Sequence, residues 1–248
     1  MLNYFNLKVS ILIVLGFDNN LSYQCIKSCV QQKHKNIEIL LYNNTGKTLN
    51  KKLTNFISRN KKKIKFFKDV KKNEVFRVRN FLLKKATGDY ISILDSDDKF
   101  FKNHIIEALS KIIKYNVHFY YSGYQNRKKN LTIKRIPPKK LTEFDLLTFC
   151  PIGHSTVVFK RGYIKKYKSF KFRHDLATWS NLIKKKNVYA NNKLTVQRNI
   201  HKQNFSKNKF KILIYYFLVL HKSYNKKFIT ILFYILILIF RHVYFKLK

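Results

Sequence analysis

The residues with the clearest chemical potential are the carboxylates of Asp95, Asp97 and Asp98, which lie within four consecutive positions. The chain has only 12 acidic residues against 52 lysines and arginines, so composition alone does not account for this cluster. Carboxylates at positions i and i+2 of a tight turn can share a hard cation, and Mg²⁺ and Mn²⁺ prefer such oxygens together with substrate phosphates. The motif predicts a divalent-metal site that binds a diphosphate; the alternative is a solvated acidic turn in which Asp98 begins the next helix.

A buried strand is predicted directly before this acidic turn, within a regular pattern that covers the first hundred residues. The predicted strands are residues 9–15, 37–42, 64–67 and 90–94. Amphipathic helices are predicted between them near residues 21–30, 49–57 and 75–86, with Gly88 as the C-cap of the third. Apolar runs separated by helices are typical of a parallel sheet covered on both faces. Ligands bind at the carboxyl ends of such strands, which is where the acidic turn lies.

The second half of the sequence has a less regular pattern. It predicts a helix near residues 105–113, strands at 119–124, 156–159 and 194–197, and a helix at 175–183. The fold class is therefore α/β, a Rossmann-like and mostly parallel sheet with helices on both faces. We expect residues 1–205 to form this domain.

The formal charge of +40 predicts affinity for polyanions, namely nucleic acid, anionic lipid or phosphorylated substrates. The basic residues are spread along the whole chain, whereas a nucleic-acid-binding protein usually concentrates them on one element, so nucleic acid is not an expected partner. Heavy use of Lys, Asn and Ile is also typical of an AT-rich genome. The absence of a GxGxxG fingerprint and of a Walker A loop argues against dehydrogenase and P-loop classes.

The three cysteines have no spacing typical of a disulfide framework, so a reducing compartment is expected. Cys25 and Cys29 lie four positions apart, where they would stack on one helical face as small core residues. Residues 9–15 are apolar but lack the flanks of a signal peptide, and none is predicted.

The C-terminal segment, residues 206–248, is predicted to form basic and apolar amphipathic helices. Residues 228–240 carry no charge, but at 1.5 Å per residue they extend about 20 Å, which is short of the roughly 30 Å hydrocarbon core. A helix lying on an anionic membrane surface is the favoured interpretation. Helices packed back on the domain, or a true span, are the alternatives.

Several blocks in the right order resemble family 2 glycosyltransferases of the GT-A fold. Residues 88–98, GDYISILDSDD, are similar to the family's block around its acidic motif, and Arg79-Asn80 resembles the ARN before it. Residues 9–13 resemble the opening strand, and residues 28–32 with 36–39 resemble the S-x-x-x-Q…N-x-E-I stretch. His174-Asp175, followed by Trp179, resembles the ED-x-x-x-W element. The resemblance covers roughly residues 8–200, and it implies that the domain has a nucleotide-binding half (1–98) and an acceptor half (99–205).

This resemblance implies roles for individual residues. Asp175 matches the catalytic base, although a helix N-cap role is compatible with its position. Asp97 would be the principal metal ligand, and Asp95 would bind metal or ribose. The remaining implied residues are Leu15, Asn43, Arg79 and Ser96 at the nucleotide donor, and Asp98, His154, His174 and Trp179 on the acceptor side.

The chain departs from the family pattern at three places. Residues 14–17 replace a Pro-Thr-Tyr-Asn-like turn, Asn43 and Asn44 replace paired acids that bind the base, and His174 replaces a glutamate. An asparagine can still hydrogen-bond a base, but without charge and with a different donor pattern. A degenerate relative that binds nucleotide sugar or membrane without turnover is therefore an alternative.

The resemblance implies a metal-dependent, inverting hexosyltransferase that takes a sugar from a nucleotide-diphosphate donor, with a UDP-sugar favoured and Mn²⁺ or Mg²⁺ as cofactor. The expected acceptor is a glycan or a lipid-linked molecule of cell-surface polysaccharide or lipooligosaccharide synthesis. We expect a cytoplasmic protein attached peripherally to the inner face of the cell membrane. A charge-driven nucleic-acid-binding protein is the third hypothesis, and it gives the acidic turn no role.

Overall fold

A computed structural model describes residues 4–69, 71–128, 131–182, 187–201 and 209–247 of the chain. Strands and helices alternate in its first half, as the apolar periodicity predicts. The elements there are β1 (Val9–Leu15), α1 (Asn20–Val30), β2 (Ile37–Asn43), α2 (Lys51–Arg59), β3 (Ile64–Lys68), α3 (Val75–Lys85) and β4 (Tyr90–Asp95).

The second half adds shorter elements and two C-terminal helices. They are β5 (Lys99–Phe100), α4 (His104–Lys114), β6 (Phe119–Lys128), β7 (Leu131–Arg135), α5 (Glu143–Thr148), β8 (Val158–Lys160), α6 (His174–Trp179), β9 (Val188–Asn199), α7 (Lys209–Tyr224) and α8 (Phe228–Leu247). The sequence pattern does not predict β5, β7 or α5, because they are short and β7 is exposed throughout. The predicted end of the helix at Ile183 lies outside the described residues.

The described strands form one sheet in the order β3-β2-β1-β4-β8-β6-β9-β5, with β7 paired to β6. The first four strands in this order are parallel to one another. In the other half β6 and β9 are parallel, and β8, β5 and β7 pair antiparallel with their neighbours. An apolar cluster lies on each face of the sheet, and the predicted core residues Cys25 and Cys29 lie in one of them. The predicted fold class is confirmed.

Two local predictions are wrong. Gly88 does not cap α3, because the helix ends at Lys85 and Ala86 is already extended. Gly88 instead packs against β1, where an added Cβ would lie 2.7 Å from the backbone nitrogen of Ser10. Asp98 does not begin a helix either: the next two residues form β5, and α4 is preceded by Asn103.

Glu38 on β2 connects three neighbouring strands through its buried carboxylate. Its Oε1 accepts hydrogen bonds from the Ser10 hydroxyl at 2.6 Å and from the backbone N–H of Thr87 at 2.7 Å, and its Oε2 lies 2.8 Å from Nζ of Lys65. Burial alone would raise the pKa of Glu38, but these hydrogen bonds lower it from 4.5 to about 2. The ionised carboxylate therefore stabilises the junction of β1, β2 and β3 with the segment that precedes β4.

Replacing Glu38 by Gln is expected to lower the free energy of unfolding by about 1–3 kcal/mol at pH 7. Because the folded pKa is depressed, this contribution is complete above about pH 4.5 and is lost as the pH falls towards 2. Urea denaturation at pH 7 and pH 3 should show the difference between variant and wild type shrinking in acid. Glu74→Gln, which breaks an exposed pair with Arg77, should cost well under 1 kcal/mol; equal effects of the two variants would contradict the assignment.

The C-terminal helices pack on the same core as the sheet through one side only. Tyr216 of α7 and Ile231 of α8 are buried in it, and the Tyr216 hydroxyl donates to the carbonyl of Leu147 at 2.5 Å. Large apolar side chains cover the outer side, and they include Phe210, Phe228, Ile229, Phe233, Leu236 and Phe240, each at least 55% exposed. Within the described chain, neither α8 nor any other helix combines the length and apolar character needed to cross a bilayer.

Candidate functional site

A cleft of about 820 Å³ opens at the carboxyl ends of the parallel strands. Residues that follow β1, β2 and β4 line it, together with the end of β9 and the start of α6. Eight of the predicted site residues lie on its wall: Arg79, Asp95, Ser96, Asp97, Asp98, His154, His174 and Asp175. The fold thus brings the acidic turn and the candidate base into one cavity.

Asp95 lies at the end of β4 in a network of buried partners. Its Oδ1 is 2.6 Å from Nη2 of Arg79 and 3.1 Å from Nδ1 of His154. The other ring nitrogen of His154 lies 3.0 Å from the Tyr167 hydroxyl, so we assign the imidazole proton to Nδ1, where it is donated to Asp95. Burial alone would raise the pKa of Asp95, but His154 and Arg79 hold it well below its usual range. Asp95 is therefore an ionised and firmly positioned carboxylate.

Arg79 joins the acidic turn to the helix that carries Asp175. While Nη2 binds Asp95, Nη1 contacts Nε2 of His174. A guanidinium has no acceptor, so Nε2 of His174 accepts this hydrogen bond. Burial and the neighbouring charge of Arg79 lower the pKa of His174 to about 3, which keeps the ring neutral. The sequence predicts a nucleotide contact for Arg79; in the structure it lines the cleft with its guanidinium committed to this bridge.

Asp97 is the carboxylate of the turn that contacts the residues at and just after the end of β9. Its Oδ2 lies 3.0 Å from Nε2 of His201, and its backbone carbonyl accepts from the amide of Asn199 at 2.5 Å. Burial and the negative charge of Asp95 raise the pKa of Asp97. A nearby cation would favour its ionised form, which is the behaviour expected of a metal ligand.

Asp98 has a structural position behind the turn. It accepts hydrogen bonds from the Ser155 hydroxyl at 2.5 Å and from the backbone N–H of Asn199 at 3.2 Å, and it lies 3.5 Å from Nε of Arg198. Burial raises its pKa to about 8, although the charge of Arg198 opposes this. Asp98 therefore ties the acidic turn to β9, although part of it still lines the cleft.

Asp175 lies in the first turn of α6, one residue after His174. The residue that precedes the helix is Arg173, so the N-cap role considered for Asp175 is wrong. Burial alone would raise the pKa of Asp175, but the charge of Arg173 and a hydrogen bond from the backbone N–H of Leu176 hold that pKa below the usual value of 3.8. The carboxylate is thus ionised at neutral pH, which is the state that a general base requires.

Three predicted residues do not line the cleft. The side chains of Leu15 and Trp179 are fully buried in the core. Asn43 is buried too: its amide nitrogen donates to the Lys47 carbonyl at 2.7 Å, and its oxygen accepts from Thr45. Leu15 and Trp179 pack in the core and Asn43 forms hydrogen bonds within its own turn, so none of the three contacts the cavity.

Asn44, the next residue, does face the cleft. Its amide forms two hydrogen bonds with the backbone of Asn73, at 2.8 and 2.9 Å. The loop after β2 and the loop before α3 are thereby held together at the cleft wall. The asparagines that replace the family's paired acids are used to fix these loops.

The side chains of the turn fit a divalent cation in part. Asp95 and Asp97 supply carboxylate oxygens and His201 supplies an imidazole, all ligand types that Mn²⁺ accepts. Among the described residues no three His, Cys, Asp or Glu side chains are grouped closely enough to hold a metal ion. A cation would need oxygens of the substrate to complete its coordination, as is usual for Mg²⁺ and Mn²⁺ at phosphate sites.

Sequence reasoning missed the cleft residues at the end of β9 and Arg173, which directly precedes α6. Arg198 and Asn199 line the cleft, as does Arg173, while His201 contacts the acidic turn. Only the clustering of basic and polar residues in segment 197–203 could have pointed to them. The proximity of Arg198, Asn199 and His201 to the acidic turn depends on the pairing of β9 with β5 and β6.

Residues 19–175 match the family model described as glycosyl transferase family 2. The chain belongs to glycosyl transferase family 2. The family predicted from the sequence is thereby confirmed, and the matched residues contain both the acidic turn and Asp175. They include every element from α1 to β8, whereas β1 and β9 lie outside the match.

This family 2 chain is similar to curated bacterial proteins. It is 30% identical over 212 residues to WfaP of Escherichia coli, a UDP-Glc:alpha-D-GlcNAc-diphosphoundecaprenol beta-1,3-glucosyltransferase, with 83% of this chain and 82% of WfaP covered. It is 35% identical over 140 residues to WfgD of Escherichia coli, which carries the same description. That match covers 54% of this chain and 55% of WfgD, so the chain spans about half the length of that relative.

Solved structures share the fold at low sequence identity. The crystal structure of Staphylococcus aureus TarS 1–349 has a TM-score of 0.68 at 12% identity, with 96% of this chain and 72% of TarS covered. The mannosyltransferase PcManGT from Pyrobaculum calidifontis, in complex with GDP-Man and Mn²⁺, has a TM-score of 0.63 at 11% identity, with 89% and 65% covered. These similarities support the GT-A fold of the family 2 chain.

Proposed function

We propose that this protein transfers a sugar from a nucleotide-diphosphate donor to a sugar acceptor linked to a lipid diphosphate. The observation that carries the proposal is the joint location of the Asp95–Asp97 turn and Asp175 in one cleft. Membership of glycosyl transferase family 2 supports the reaction class. The names of the relatives WfaP and WfgD support a UDP-sugar donor and a lipid-diphosphate acceptor.

The donor half of the cleft would hold the nucleotide diphosphate. Asp97 and Asp95 are the proposed ligands of a Mn²⁺ or Mg²⁺ ion, with His201 beside Asp97. When bound, this cation supplies positive charge that stabilises the departing diphosphate. Arg198, over the ring of Tyr124 and next to the turn, adds a cationic side chain for the phosphates.

Asp175 is the proposed general base of an inverting displacement. Its ionised carboxylate would take the proton from the acceptor hydroxyl as that oxygen attacks the anomeric carbon. The bond from that carbon to the diphosphate oxygen breaks on the opposite face. Arg79 and His174 hold Asp175 at a fixed position relative to the acidic turn, so the two halves of the reaction are positioned by one set of buried contacts.

The experiment that tests this function measures transfer from a panel of nucleotide sugars to α-GlcNAc-diphosphoryl-alkyl acceptor with and without Mn²⁺. We expect product with a UDP-hexose and loss of product when EDTA removes the cation. Hydrolysis of the donor without acceptor serves as a second readout of the donor half. Donor binding without hydrolysis or transfer across the panel would identify a non-catalytic relative and overturn the proposal.

We also propose that the outer side of α7 and α8 binds an anionic membrane, next to which a lipid-linked acceptor is available. Exposed apolar residues cover this side, and lysines lie around it.

Replacing Ile229, Phe233 and Leu236 together by Gln should lower partitioning onto phosphatidylglycerol vesicles more than tenfold, since each side chain contributes roughly 1.5–3 kcal/mol when buried. Phe5→Gln, at a similarly exposed residue, should behave like wild type. Equal sedimentation of the triple variant and wild type with vesicles would contradict membrane binding by this surface.

A further inference from the structure

A second cavity, of about 480 Å³, lies beside the catalytic cleft and shares part of its wall. The shared residues include Tyr124, Cys150 and Arg173. On its other side the cavity reaches Tyr216 of α7 and Leu238 of α8. It therefore lies between the site of the reaction and the C-terminal helices.

Two arginines give this cavity its charge. Arg135 lines it from the end of β7, and Arg173 lines it from the position before α6. All 12 acidic residues of the chain lie in its described part, and none of them forms an ion pair with either arginine. Guanidinium groups without a carboxylate partner at a concave surface are suited to bidentate binding of phosphate.

Arg173 has a position that suits a ligand common to both cavities. It adopts a left-handed backbone conformation, with φ of 56°, and its guanidinium carbon lies 5.8 Å from the centre of the Tyr216 ring. Asp175 follows only two residues later. A group bound by Arg173 would therefore lie next to the candidate base and at the mouth of the second cavity.

The surroundings of the second cavity become apolar towards the outside. Ile136 and Phe149 line it and are 55% and 40% exposed, and Leu238 belongs to the helix whose outer side is covered by exposed apolar residues. An acceptor made of a sugar, a diphosphate and a lipid chain changes along its length in the same order, from polar through anionic to apolar. Cleft, arginine-lined cavity and apolar helices would contact these three parts in turn.

We propose that the second cavity binds the diphosphate of the lipid-linked acceptor through Arg173 and Arg135. The proposal rests on the proposed function, because it takes the sugar of that acceptor to lie beside Asp175. The diphosphate then fixes which end of the acceptor enters the cleft. The proposal also predicts that a diphosphate binds to this cavity independently of the sugar attached to it.

The test compares two acceptors that differ in the diphosphate group, an α-GlcNAc-diphosphoryl-alkyl and a neutral α-GlcNAc-alkyl with the same alkyl chain. For wild type we expect the KM of the neutral acceptor to be at least tenfold higher. Arg135→Gln and Arg173→Gln together should raise the KM of the diphosphate acceptor at least tenfold while changing that of the neutral acceptor less than twofold. Arg173→Lys, which keeps the positive charge, should raise the KM of the diphosphate acceptor less than Arg173→Gln does. Arg127→Gln and Arg161→Gln, both at exposed arginines outside the cavity, should have the wild-type KM.

The comparison separates phosphate binding from an effect on the base. Loss of Arg173 also removes a positive charge beside Asp175, but that change would alter kcat for both acceptors equally. Farnesyl diphosphate should inhibit wild type in competition with the diphosphate acceptor. Its inhibition constant should be at least tenfold higher for the double variant. Equal KM values for the two acceptors, or an unchanged ratio in the double variant, would overturn this inference while leaving transfer itself intact. Absence of donor hydrolysis and transfer by wild type would instead count against the proposed function.

Discussion

Replacement of Asp175 by Asn is expected to lower kcat for sugar transfer by roughly 10²- to 10⁴-fold, the usual contribution of a general base. The amide has the shape of the carboxylate but cannot take a proton from the acceptor hydroxyl. Donor binding should persist, because the acidic turn at Asp95–Asp97 is unchanged. Steady-state transfer and calorimetric titration with UDP measure the two effects separately.

The pH dependence of transfer provides a second test of Asp175. The base acts when ionised, so the rate falls only as the pH drops through its pKa, which lies below 3.8 in the folded protein. We therefore expect no loss of kcat from this group between pH 8 and pH 5. Asp89→Asn, at an exposed residue directly before β4, is the matched control and should retain the wild-type rate. An Asp175→Asn variant with more than half of wild-type kcat would exclude Asp175 as the base.

Replacement of Asp97 by Ala is expected to abolish the Mn²⁺ dependence of the reaction and to lower transfer by roughly 10²- to 10⁴-fold. This range corresponds to the several kcal/mol by which a bound cation stabilises a departing diphosphate. The backbone carbonyl of Asp97, which accepts from Asn199, is retained in the variant, so the turn should keep its conformation. Circular dichroism and thermal denaturation check that the fold is intact.

Metal binding can be measured without turnover. Electron paramagnetic resonance of Mn²⁺ in the presence of UDP should show binding by wild type and a loss of at least tenfold in affinity for Asp97→Ala. Asp89→Asn is again the control and should bind as wild type does. Unchanged Mn²⁺ affinity in Asp97→Ala would assign the metal to other ligands and leave Asp97 with a structural role.

The role of the loops after β1 and β2 bears on the choice of donor. Asn43 holds its own turn, and Asn44 clamps the backbone of Asn73 at the wall of the cleft. A charged pair at these positions could bind a base edge directly, whereas the asparagines are committed to the backbone. The base would then be recognised mainly by backbone groups and by side chains such as Phe17, which lies in the cleft wall.

Local sequence patterns predicted the strands and helices of the first hundred residues and the position of the acidic turn. These features depend on local patterns, since β1, β2 and β4 are apolar runs whose burial follows from the sheet they form. The family resemblance added Asp175 as a candidate base. Short or exposed elements such as β7 were not predicted, because they bury too little apolar surface to leave a periodic signal.

The contacts between polar side chains from distant segments could be identified only from the fold. Arg79 contacts His174 across 95 positions of sequence, and Asp97 contacts His201 across 104. Such contacts depend on strand pairing and on the packing of α6, which no local pattern encodes. The same packing buried Leu15 and Trp179, used Asn43 in a turn, and placed Arg173 between the cleft and the second cavity. Functional residues that lie together in one segment could be identified from the sequence. Functional residues that act together from distant segments could be identified only from the fold.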